Sequence, residues 1–174
     1  MLYQRIFLVL VAASIFASAA LSAEPPKVPA DLGHISFLLG DWTCTGAASR
    51  DPANYRPGPP ATVHARKAVG SHWIQLSYDN RDLHVAGYIG FNTKRKQFVQ
   101  SMVDSYGDYW LGSSGGWNGD TLTFDDSSAK EGNPSSYRDS YVKHGADEFV
   151  HVGEVQRNGK KWVKIDEQTC RRTK

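Results

Sequence analysis

Gly87-Tyr-Ile-Gly-Phe-Asn-Thr-Lys-Arg-Lys-Gln-Phe-Val-Gln-Ser-Met-Val-Asp104 holds two strand-like runs on either side of a polar turn, Asn92 to Lys96. Successive side chains of a strand point to opposite faces, so Phe98, Gln100 and Met102 fall on one side of the second run. The same pattern extends in both directions. Ten candidate strands are predicted, at 41–48, 62–69, 71–79, 83–91, 97–104, 108–117, 121–125, 136–143, 147–155 and 161–171. Turn chemistry separates them, most clearly at the Asn-Gly pairs Asn118-Gly119 and Asn158-Gly159. No segment after Gly40 shows sustained helical periodicity, which points to an all-β antiparallel sandwich or barrel. Before it, Asp31 is placed to cap a short helical turn through Leu32, Ile35, Phe37 and Leu38 that ends at Gly40.

The first residues address compartment. Met1 to Arg5 carries one positive charge, Ile6 to Leu21 carries none, and the run dissolves into Ala17-Ser-Ala-Ala-Leu-Ser-Ala23 before Glu24-Pro25-Pro26. That is a secretory signal layout, with cleavage expected after Ala23 and Ala19 as the second choice. The expected organisation is therefore a signal peptide at 1–23, a proline-punctuated leader at 24–34 and one β domain at 35–174. The protein is expected to be exported, periplasmic or secreted, with no membrane span once the signal is removed.

The 174 residues carry a net charge of +2, which becomes +1 when the signal leaves. Basic side chains are scattered apart from Lys94-Arg95-Lys96 in a turn, so no nucleic-acid partner is indicated. Cys44 and Cys170 are the only cysteines, and an even pair in an exported chain favours a disulfide. Two polar, proline-bearing stretches, Ser49 to Ala61 and Asp126 to Pro134, are expected to be surface loops.

Gly40-Asp41-Trp42, directly after a helical turn, is similar to the G-x-W opening of the calycin barrels, a group that includes lipocalins. That resemblance implies a basic residue of the last strand, Arg171 or Arg172, packed on Trp42. More broadly, the blocks Phe37–Trp42, Gly87–Asn92, Phe98–Ser105 and Trp117–Thr123 resemble a bacterial domain-of-unknown-function family of calycin-like ten-stranded barrels. In such a barrel the first and last strands are neighbours, and a Cys44–Cys170 bridge locks their seam. One conflict of parity arises: Cys170 shares a face with Gln168 and Asp166, opposite Val163 and Ile165. Either the lumen is partly polar or a bulge shifts the register.

Few constellations carry chemistry. Gly112-Ser-Ser-Gly-Gly116 matches the G-x-S-x-G spelling, but the following residues read as strand end and hairpin rather than the helix that a nucleophile elbow needs. The six histidines form no paired metal spacing, and no metal site is predicted. His72 and His151 are the two placed by alternation to face a lumen. Asp104, Asp108, Asp125, Asp126 and Asp139 fall mostly at predicted strand ends and turns; Asp104 follows Phe98, Gln100 and Met102 on the inward face, but one carboxylate is not a mechanism, and no catalytic residue is assigned. Nitrobindins, which are similar ten-stranded barrels, bind haem through a histidine near the chain end. Residues 161–171 contain none, so no cofactor is expected and haem is disfavoured.

The functional expectation is an exported, non-catalytic barrel binding a small, mainly apolar ligand, lined by Tyr88, Phe98, Met102, Trp110, Tyr141 and His151. The alternatives are a structural or interaction module of the cell envelope with a side-chain-filled barrel, and a haem-binding nitrobindin-like protein. The sequence leaves the oligomeric state open.

Overall fold

The computed structural model describes residues 27, 30–49, 54–126 and 135–174. The expected signal peptide, residues 24–26 and 28–29 of the leader, residues 50–53 of the first long loop and residues 127–134 of the second lie outside the described residues. A single helical turn, α1 (Leu32–Ile35), runs into a 3₁₀ turn, Ser36–Leu38. Asp31 occupies the N-cap position but makes no capping bond through its side chain, which corrects the expected cap. The turn is held from elsewhere, by burial of Leu32, Ile35 and Leu38.

Ten strands follow: β1 (Gly40–Ala48), β2 (Ala61–Ala68), β3 (Trp73–Asp79), β4 (His84–Asn92), β5 (Gln97–Asp104), β6 (Tyr109–Ser114), β7 (Thr121–Asp126), β8 (Ser135–Lys143), β9 (Glu148–Arg157) and β10 (Val163–Arg172). Two-residue segments, Arg56–Pro57 and Trp117–Asn118, add to the edges of β1 and β7. Each long strand pairs antiparallel with the next, and β10 pairs with β1, so the sheet closes into an all-β up-and-down barrel. Closure satisfies the backbone groups that an open sheet would leave at its edges. The predicted strand at 71–79 begins only at Trp73, because Val69 and Ser71 have positive φ and His72 sits in that turn. The predicted strand at 108–117 ends at Ser114, where Gly115 and Gly116 interrupt it.

The β1/β10 seam aligns Trp42 with Arg172 and Cys44 with Cys170, and the cysteines form a disulfide. Arg172 places its guanidinium 4.2 Å over the Trp42 ring. It also donates to the carbonyls of Leu39 at 2.7 Å and Ala146 at 2.7 Å. Trp42 Nε1 donates to Leu38 O at 2.8 Å. The bonds to Leu38 and Leu39 satisfy carbonyls at the end of the helical turn, and the bond to Ala146 ties in the connection between β8 and β9. Gly40, at φ +128°, leaves the space that the guanidinium occupies, since a Cβ there would collide with it. Arg171 points the other way and pairs with Glu148. The helical turn, Trp42 and Phe149 thereby seal one end of the barrel, with Trp42 and Phe149 rings edge to face at 4.8 Å.

Both resolutions of the parity conflict hold. Gly153 pairs with Asp166 and Glu154 with Lys164, so Ile165 is an extra residue in β10. On the sealed side of this bulge Asp166, Gln168 and Cys170 all point inward, so the lumen is also partly polar.

Candidate functional site

Away from the sealed end the barrel encloses a cavity of about 670 Å³. Its wall includes Leu76, Tyr78, Val85, Met102, Trp110 and Val155. It opens between the ends of β3, β5 and β7 and the starts of β4, β6 and β8, where Asn80, Leu83, Asp104, Tyr109, Asp126 and Ser135 line it. Volume and mixed polarity match those of small-molecule pockets.

A charged cluster stands on the lumenal wall formed by β8, β9 and β10. The register explains its geometry. Tyr141, His151 and Gln168 sit opposite one another on three adjacent strands, and one lumen-facing step along the strands Asp139, Gly153 and Asp166 do the same. The middle position of that second row is glycine, so the flanking carboxylates lean over it toward His151. A Cβ on Gly153 would lie 3.1 Å from Asp166 Cβ and 3.8 Å from Asp139 Oδ1. His151 Nδ1 donates to Asp166 Oδ2 at 2.8 Å, and Nε2 stands 3.3 Å from Asp139 Oδ1.

Two buried amides complete the cluster. Gln100 Nε2, from β5 across the lumen, donates to Asp139 Oδ2 at 2.8 Å, and Gln168 Nε2 donates to Asp166 Oδ1 at 3.0 Å. The three charged side chains keep 23–25% of their surface accessible. All three line the cavity, so that surface faces the lumen rather than bulk solvent. Burial disfavours a charged imidazole, but the bonds to Asp139 and Asp166 and their negative charge outweigh it, and the His151 pKa is pushed up to about 10. Tyr141, whose ring centroid lies 5.2 Å from that of His151, has its hydroxyl pKa raised by burial and by the same two carboxylates.

Of the six residues expected to line a lumen, Met102, Trp110, Tyr141 and His151 face this cavity. Phe98 does not. It is buried toward the sealed end, edge to face with Phe91 at 5.2 Å, and borders a separate open groove beside the helical turn. Tyr88 is corrected outright: it is exposed on the outer face, because Val85 lines the cavity and the alternation that brings Gly87 and Ile89 inward turns Tyr88 out. His72 Nδ1 donates to Gly70 O, 3.0 Å away, in its turn, and His72 takes no part in the lumen. Ser114 of the G-x-S-x-G spelling is buried, with its hydroxyl bonded to the Gly116 backbone.

The sequence reading missed Asp139 and Asp166. Asp139 falls inside the predicted strand at 136–143 with nothing in the sequence to pair it, and Asp166 shows only as one side of the parity conflict; the register of β8, β9 and β10 brings both to His151. Among the described residues no group of three or more His, Cys, Asp or Glu side chains converges as metal ligands, and no helix is long and apolar enough to cross a membrane.

Ten antiparallel strands closed on themselves, sealed at one end and hollow toward the other, define an up-and-down β-barrel with a ligand-sized lumen. The chain belongs to the family described as "Protein of unknown function (DUF1579)", whose sequence model matches residues 34–172. Among solved structures, Rv2717c from M. tuberculosis is similar, with a TM-score of 0.58 and 17% identity over 85% of this chain and 100% of that one. At that identity the likeness is one of fold. No curated protein sequence matches the chain.

Proposed function

We propose that the protein is an exported, non-catalytic barrel that holds one small, mainly apolar molecule in its lumen. The observation that carries this reading is the cavity of about 670 Å³, open at one end, with aliphatic and aromatic side chains over much of its wall beside the His151 cluster. A side-chain-filled barrel would leave no such space. Both ring nitrogens of His151 face carboxylates, so the lumenal histidine has no free nitrogen to ligate iron, which argues against haem. Export is supported by the signal layout and by the Cys44–Cys170 bridge, a bond that persists in oxidising compartments.

The test is a fluorescence titration with N-phenyl-1-naphthylamine, a neutral dye that brightens in apolar surroundings. Saturable one-to-one binding is expected, weakened at least ~10-fold, or ~1.4 kcal/mol, by Val85→Trp, which puts an indole into the cavity. Circular dichroism and a melting curve establish that the variant is folded. If Val85→Trp does not fold, Met102→Trp takes its place. Absence of saturable binding to the native protein, or binding unchanged by a folded lumen-filling variant, would overturn the reading.

A further inference from the structure

We infer that the ligand of the lumen carries a cationic nitrogen, such as a primary ammonium, seated against Asp139 and Asp166 with its apolar body along the aromatic wall. This rests on the apolar-ligand reading and deepens it.

His151 turns both ring nitrogens to the two carboxylates, and the Gln100 and Gln168 amide nitrogens are bonded to the same carboxylates. What remains unspent is acceptor capacity. Gln100 Oε1 and Gln168 Oε1 are buried with no partner among the described residues, in side chains only 3% exposed, and Gln168 lines the cavity. Reversing either amide would set its oxygen against a carboxylate oxygen, so the acceptors cannot be exchanged for donors without a repulsive contact. Buried polar groups in folded proteins are nearly always satisfied, so an unspent Gln168 acceptor beside two carboxylates on the lumenal wall fits a molecule that brings N–H groups.

Two carboxylates against one imidazolium leave the cluster one negative charge in excess, within a cavity where an uncompensated charge is costly. A cation in the ligand balances it, whereas a carboxylate or phosphate head would add to the excess. The mouth has the same sign. Asp82, Asp104, Asp108 and Asp126 line it against Arg157, in a chain whose net charge is +2. Asp82 is shared with Arg81 and Asp104 Oδ1 also accepts from the Tyr106 and Asp108 amides, but neither carboxylate loses its sign. Acidic walls around a low-dielectric opening concentrate cations at the entrance. Tyr78, Trp110 and Tyr141 line the cavity and offer aromatic faces, which attract a desolvated cation.

The test uses three ten-carbon competitors of one shape, decylammonium, decanol and decanoate, displacing N-phenyl-1-naphthylamine from the full-length mature protein at pH 6, where His151 keeps its charge in the asparagine variants as well. Decylammonium is expected to displace the dye at a concentration at least ~10-fold below decanol, with decanoate weakest. Asp166→Asn and Asp139→Asn should each shrink the ammonium-over-alcohol preference several-fold while leaving decanol nearly unchanged. If decanol equals decylammonium, or decanoate is tightest, the cationic ligand is refuted and apolar binding stands. A preference undiminished in both asparagine variants also refutes it, because the attraction then comes from the rim alone. If the dye itself does not bind, the apolar-ligand reading falls, and this inference with it.

Discussion

Replacing Asp166 by asparagine keeps an oxygen near His151 Nδ1 and removes one charge from the lumen. In the native protein the imidazole is held between Asp166 at 2.8 Å and Asp139 at 3.3 Å, with its pKa pushed up to about 10 from 6.5. Two unit charges about 4 Å apart attract by ~4 kcal/mol at an effective dielectric constant near 20. At ~1.4 kcal/mol per pKa unit, losing Asp166 should lower the His151 pKa by about 3 units, to about 7. The imidazole, charged at pH 8 in the native protein, should then be largely neutral. Long-range ¹H–¹⁵N correlation spectra of the ring nitrogens across the pH range read this directly. A linked effect on stability follows. Because the folded pKa lies above the unfolded one, the contribution of His151 is fully present below pH 6.5 and is lost as the pH rises through about 10. Unfolding free energy of the native protein should therefore decline between those limits, and the decline should be smaller and shifted downward in Asp166→Asn. A native His151 titrating near 6.5, or a titration unmoved by the substitution, would refute the reasoning.

Three further outcomes are expected. Replacing Cys44 and Cys170 together by alanine opens a loop with a sequence separation of 126 and should cost ~5 kcal/mol in the chain-entropy account. That corresponds to a fall in Tm of ~10–20 °C, measured by calorimetry; a loss under 2 °C would contradict a structural role for the bridge. Arg172→Ala should cost ~2–3 kcal/mol in urea unfolding, because charge-assisted bonds to the Leu39 and Ala146 carbonyls and the Trp42 stack are lost together, whereas Arg171→Ala should change little. Gly153→Ala should cost ~1–3 kcal/mol by crowding Asp166, and should move the His151 titration downward as the carboxylates are pushed apart; an unchanged titration would show that the glycine does not set the cluster's geometry.

Much of the barrel was legible because its signals are local. Alternation in segments such as Phe98–Met102 and turn chemistry such as Asn118-Gly119 mark individual strands, and all ten appear within a few residues of the expected positions. The seam was legible for another reason: two cysteines admit one intramolecular pairing, and the G-x-W opening anticipates a basic partner, which is Arg172. The lumenal cluster was not legible, because it depends on the relative register of three strands and no segment contains that information. Asp139 and Asp166 meet only because both pair with Gly153, and the Ile165 bulge hides the true parity of β10. The one available signal was the run Asp166, Gln168, Cys170 on a single face. Once the disulfide places Cys170 inside, the other two follow it. Tyr88 failed for a related reason. Aromatic character favours burial, but Gly87 and Ile89 already take the inward positions of β4, and Gly87 leaves room for Met102.

The central claim is that the barrel is hollow and takes a small molecule between Met102, Trp110 and Tyr141. A crystal structure of the protein saturated with N-phenyl-1-naphthylamine tests it most directly. The account predicts one dye molecule in the lumen, its rings within about 4 Å of Met102 and Trp110. A lumen closed by side chains, or a dye bound only on the outer face around Tyr88 and Leu111, would contradict it.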